Sequence, residues 1–172
     1  MTEPRWLFAY GSLIFRPDFS FEERRRAVLP GYSRRFFQGS TDHRGVPGAP
    51  GRVVTLVEGG ACVGVAYRVS PRDRDRVLGY LDEREQGGYA RETVEVDLGD
   101  ARVPAITYVA WAGNPDWVGP ADVATIAAVV QTSAGPSGSN RDYVLALADA
   151  LRALDAGDDH VEALARALVT SP

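Results

Sequence analysis

Two runs of strand-forming residues stand almost end to end in the middle of this chain. They are Arg52-Val53-Val54-Thr55-Leu56-Val57 and Cys62-Val63-Gly64-Val65-Ala66-Tyr67-Arg68-Val69, joined by Glu58-Gly59-Gly60 and Ala61. Valine, threonine and aromatic residues fit a pleated, half-buried surface, and a glycine pair between two such runs reads as a reversal. The spacing predicts an antiparallel hairpin. Further strand signals flank it. Trp6-Leu7-Phe8-Ala9 is a short apolar run, residues 31–38 are rich in aromatics, and 103–111 form another candidate. In residues 91–97, Thr93, Glu95 and Asp97 alternate with Val94, Val96 and Leu98, the pattern of an antiparallel sheet packed on one face.

Helical patterns fill the remainder. Ser70 and Pro71 suit an N-cap and a first helical position, ahead of Val77, Leu78 and Leu81, with the helix running to about Arg84 or Glu85 before Gly87-Gly88. Residues 121–132 carry Val123, Ile126, Ala127 and Val130 on one side. Asn140 is the expected cap of a long helix over 141–154, and residues 160–169 form a terminal one. Glu22 to Arg26 reads as a solvated charged face, and 39–51 as a Gly/Pro-rich loop of the kind that lines sites. The sum is an α+β fold with a mostly antiparallel sheet curled around a pocket. At 172 residues, one domain spanning 1–172 is expected.

Charge narrows the function. The net charge is −4 and all 19 basic residues are arginine, which argues against a nucleic-acid binder. Cys62 is the only cysteine, so no disulfide framework or cysteine zinc site is expected; it reads as a small core residue. His43 and His160 are too few and too far apart to suggest a metal site, and His43 reads as a loop-ordering donor. The first residues lead into too short an apolar run for a signal peptide, and no run reaches bilayer length, so a cytoplasmic protein with no membrane association is expected. Ser12, Ser40 and Ser137 lack a nucleophile elbow. Gly135-Pro136-Ser137-Gly138 lacks the lysine of a phosphate loop.

Two stretches invite chemistry. Tyr10-Gly11-Ser12-Leu13 follows the first strand, and main-chain N–H groups at such a turn suit a carboxylate or a developing oxyanion, though an ordinary strand exit reads the same way. Glu85 ends an acidic helix turn with Asp82 and Glu83, at the negative end of the helix dipole. Partly desolvated, it would be a general base; otherwise it is a solvated helix end partnered by Arg84 and Arg76.

Several ordered segments carry a resemblance: 8–14 (Phe-Ala-Tyr-Gly-Ser-Leu-Ile), 34–45 (Arg-Arg-Phe-Phe-Gln-Gly-Ser-Thr-Asp-His-Arg-Gly), 50–56, 64–67, Tyr80-Leu81-Asp82 with Arg84-Glu85-Gln86-Gly87-Gly88-Tyr89, and 134–138 with Asn140 and Tyr143. Together they resemble the ChaC family of glutathione-specific γ-glutamylcyclotransferases. The resemblance implies a small β-barrel with flanking helices around one cavity, and cleavage of glutathione to 5-oxoproline and cysteinyl-glycine without metal or cofactor. It implies that Tyr10, Gly11, Ser12 and Leu13 bind the γ-glutamyl group and that Glu85 is the acid/base. Tyr143 is expected to donate a hydrogen bond into the cavity. No obligate protein partner is expected. The family usually has glycine where Ala9 stands, tryptophan at Phe15 and Phe37, and often an apolar residue at Glu83. Two alternatives stay open: a cyclotransferase for γ-glutamyl amino acids or amines, with residues 39–51 setting the choice, and a non-catalytic module binding a γ-glutamyl ligand or a protein partner.

Overall fold

A computed structural model describes residues 3–170. Five strands close into a barrel in the order β1-β3-β2-β4-β5. These are β1 (Trp6–Ala9), β2 (Glu23–Ser40), β3 (Gly51–Arg68), β4 (Ala90–Asp97) and β5 (Arg102–Val109). All neighbours are antiparallel except β1 and β5, which run parallel through Trp6–Ala105 and Leu7–Ile106 and seal the barrel. Closure gives each of these strands a neighbour on both sides, while β2 and β3 run on beyond it as a two-stranded ribbon.

The expected hairpin at Glu58-Gly59-Gly60 does not form. β3 runs straight through those residues, and its antiparallel partner along its whole length is β2, from Glu23 opposite Arg68 to Ser40 opposite Gly51. Gly59 and Gly60, at φ 104° and 72°, absorb a bulge in which Gly31 alone faces two residues. Both halves of β3 already have a partner, so continuing the ladder satisfies main-chain groups that a reversal would strand. By the same pairing β2 takes in most of the charged run at 22–26. Its first residues alternate between half-buried and exposed rather than forming a wholly solvated face.

Four helices flank the barrel. α1 is Arg74–Arg84, α2 Val123–Thr132, α3 Asn140–Ala153 and α4 Asp159–Thr170. Two starts differ from expectation. Ser70 Oγ accepts from the Asp73 N–H at 3.1 Å, so it caps a turn and α1 begins only at Arg74. The cap of α3 is Ser139, whose Oγ accepts from the Asp142 N–H at 3.0 Å. Asn140 is fully buried instead, and its amide clamps Arg52 by accepting from the Arg52 N–H at 2.7 Å and donating to its carbonyl at 2.9 Å. Ile126, Val144, Leu147, Val161 and Leu164 pack α2, α3 and α4 into the core they share with the barrel. Among the described residues, no helix is long and apolar enough to cross a membrane.

Candidate active site

β1 delivers the Tyr10–Leu13 segment to the mouth of the barrel, where three anchors hold it. Tyr10 Oη donates to the Tyr108 carbonyl at 2.5 Å. The Tyr10 carbonyl accepts from Arg34 Nε at 2.6 Å; Arg34, fully buried, also donates to the Val63 carbonyl and pairs with Asp158 at 2.7 Å. Ser12 Oγ accepts from Arg84 Nη2 at 3.1 Å. Residues Ser12–Ile14 form a single 3-10 turn, whose first N–H groups, at Ser12 and Leu13, have no intrahelical acceptor. Gly11 is required by close approach: a Cβ there would lie 2.9 Å from Val54 Cγ2 and 3.2 Å from Tyr143 Oη.

Glu85 closes the C-terminal end of α1, its N–H bonded to the Leu81 carbonyl at 2.8 Å. The cavity between Glu85 and the Tyr10–Leu13 segment comprises an outer hollow of about 330 Å³ and an adjoining inner one of about 50 Å³. They share Ser12, Glu85, Tyr89 and Tyr143 as walls. Tyr10, Gly11 and Leu13 complete the inner hollow, so the structure brings all six expected site residues to one place.

Burial raises the Glu85 pKa above the ordinary carboxylate value; the Arg84 and His43 side chains oppose that rise and Asp42 adds to it. Among the described residues, none donates a hydrogen bond to its carboxylate. The partners expected for a solvated helix end are engaged elsewhere. Arg84 donates to Ser12, Tyr80 and the Arg16 carbonyl, and Arg76 pairs with Asp73. The crowding differs too. Asp82 is taken up by Arg91 and by Tyr108 Oη at 2.6 Å, so the like charge acting on Glu85 comes from the 39–51 loop.

Tyr143 is buried and its hydroxyl is pushed up to about 12 by burial, so it stays protonated. Val54 N–H donates to its oxygen at 3.5 Å, and among the described residues nothing accepts its own proton. His43 orders the loop as expected. A carbonyl only accepts, so Nε2 carries the proton it donates to Arg84 O at 3.0 Å, and Nδ1 shares a hydrogen bond with Ser137 Oγ at 2.9 Å. Sequence reasoning missed Arg84 as the tie between turn and helix, and gave no role to Tyr89, whose Oη donates to the Val54 carbonyl at 2.6 Å. Arg84 stood beside Glu85 as a charge partner, and nothing local signals its reach to residue 12. Among the described residues, no cluster of three or more His, Cys, Asp or Glu side chains is placed to hold a metal ion.

The ChaC-like protein family model matches residues 5–171. This chain belongs to the ChaC-like family. Its relatives include the glutathione-specific gamma-glutamylcyclotransferase 1 of Mus musculus, 42% identical over 174 residues that cover 96% of this chain and 78% of that one. The glutathione-specific gamma-glutamylcyclotransferase of Saccharomyces cerevisiae is 33% identical over 196 residues, covering 85% and 84%. A crystal structure of the yeast glutathione-specific cyclotransferase, selenomethionine-labelled, matches this ChaC-like fold with a TM-score of 0.90 at 29% identity, over 98% of this chain and 96% of that one.

Proposed function

We propose that this ChaC-like protein is a γ-glutamylcyclotransferase that cleaves glutathione into 5-oxoproline and cysteinyl-glycine. One observation carries the reading: an unpaired, partly desolvated carboxylate, Glu85, shares its two hollows with the turn at Tyr10–Leu13. The relatives named for this activity support it.

The chemistry is an intramolecular acyl transfer. The α-amino nitrogen of the γ-glutamyl residue attacks its own γ-carbonyl, a ring C–N bond forms, and the amide bond to cysteine breaks. Tethering supplies effective molarity, which leaves the protein to fold the chain and move protons. The free α-amino group has a pKa of roughly 8, so most of it is protonated at neutral pH. Glu85, its pKa raised toward neutrality, takes that proton and returns it to the leaving amine, a role worth about 10²–10⁴-fold. Tyr143 Oη–H and the N–H groups of Ser12 and Leu13 serve as donors for the oxyanion or the substrate carboxylate, while Tyr10 and Gly11 shape the inner hollow. The exchange is redox-neutral and calls for no cofactor, and the chain acts as one domain.

Purified protein incubated with glutathione should release 5-oxoproline and cysteinyl-glycine in equal amounts. A panel of γ-glutamyl amino acids and amines tests the wider substrate reading. Ligand-stabilised melting without product would favour a binding module.

A further inference from the structure

The outer hollow holds a cation that the proton transfer does not use. Arg44 lies in the 39–51 loop, is only 7% exposed, and makes no ion pair within 4 Å among the described residues. Its Nη1 donates to the Ser139 carbonyl at 3.1 Å, and its guanidinium lies 5.4 Å from the centre of the Tyr143 ring. Nε and Nη2 have no acceptor among the described residues, yet neither is sealed from solvent, and the open space this residue borders is the outer hollow. Arg16 stands on the same wall, exposed, its side chain without a described partner. The acids nearby are differently placed: Asp18 lies 3.7 Å from Arg84, Asp42 lies 3.8 Å from His43, Glu83 is exposed, and Asp142, whose charge does act on Arg44, is exposed and forms no ion pair with it within 4 Å.

A buried guanidinium without a counter-ion is costly unless an anion arrives, and its fork geometry matches a carboxylate. Resting on the cyclotransferase reading, we propose that Arg44, with Arg16 at the rim, forms the subsite for the carboxylate at the far end of the substrate from the scissile bond. With Glu85 and the Tyr10–Leu13 turn holding the γ-glutamyl end, the leaving group extends into the outer hollow. There a free C-terminal carboxylate meets Arg44. The subsite thus selects γ-glutamyl peptides ending in a free acid over γ-glutamyl amines and over esters of the same peptide.

The test is binding, which needs no turnover. Calorimetry on the Glu85→Gln protein compares glutathione with its glycine-end ethyl ester, alone and with Arg44→Gln or Arg16→Gln added. A charge-assisted contact predicts that the free acid binds about tenfold or more tighter than the ester. Arg44→Gln should bring the acid down to the ester's affinity and leave the ester unchanged, and Arg16→Gln should narrow the gap partway. Arg16 is exposed, so that variant folds even if the buried replacement does not. Equal affinities for acid and ester, or equal weakening of both by either replacement, would overturn the subsite. Release of 5-oxoproline by the wild-type protein, measured separately, reports on the cyclotransferase reading itself.

Discussion

His43 Nε2 donates to the main-chain carbonyl of Arg84 at 3.0 Å, one residue before Glu85. Carbonyls in the last turn of a helix lack intrahelical partners, so this bond fixes the end of α1 from which Glu85 projects. His43 is accordingly a positioning residue. His43→Ala should lower kcat by about 10- to 100-fold, the cost of a misplaced catalytic group, with KM nearly unchanged. His43→Gln keeps an N–H donor near the Nε2 position and should recover part of the loss. Steady-state kinetics checks this, and an equal loss in both variants would count against positioning.

Gly11 and Gly79 make a matched pair. A Cβ at Gly11 would meet Val54 and Tyr143, whereas one at Gly79, on the exposed face of α1, meets nothing within 4 Å. Gly11→Ala should cost about 1–3 kcal/mol through overpacking, along with activity. Gly79→Ala should gain about 0.5–1 kcal/mol, the ordinary helix preference for alanine. Urea unfolding of the two variants measures both.

The readable parts of this chain were those set by local pattern. β1, β4 and β5 follow from apolar runs and alternation, whereas local pattern left Tyr10–Leu13 and Glu85 each with a plain structural reading beside the chemical one, and the family resemblance chose between them. What was not readable depends on partners distant in sequence. The glycines at 59 and 60 look like a reversal until β2 is known to lie alongside both halves of β3. Asn140 looks like a cap because its clamp on Arg52 is invisible locally, and Ser139 takes the cap one residue earlier. Arg44 passed as a loop residue, because its burial depends on how that loop packs against Ser139 and Tyr143.

Arg34 and Asp158 tie α4 to the turn that holds the site. Arg34 is buried and spans Asp158, the Tyr10 carbonyl and the Val63 carbonyl, while Asp158 Oδ1 also accepts from the Val161 N–H at 3.0 Å. Asp158→Ala leaves a buried cation unpaired and should cost about 3–5 kcal/mol in chemical unfolding. Asp158→Asn keeps an oxygen acceptor for the Val161 N–H and should cost less.

His160 gives stability a pH dependence. Its Nε2 accepts from the Phe36 N–H at 3.1 Å, which requires the neutral ring, and burial chiefly, with Arg35, lowers its pKa. A base with a depressed folded pKa leaves the unfolded chain binding more protons on acidification. Its contribution is therefore full above the ordinary histidine value of about 6.5 and is lost as pH falls below it toward the folded value. His160→Gln offers an acceptor that does not titrate, and should flatten the fall in Tm over that range. An unchanged slope would remove His160 as its source.

The account stands or falls on the Glu85 carboxylate, and one isosteric replacement tests it most directly. Glu85→Gln removes a charge held at a raised pKa with no described hydrogen-bond donor, so the fold should persist and Tm at neutral pH should rise. Release of 5-oxoproline from glutathione, measured on purified wild-type and Glu85→Gln protein, should fall by about 10²-fold or more in the variant. A variant that stays folded and keeps more than about a tenth of the wild-type rate, far above what loss of an acid/base leaves, would contradict the account.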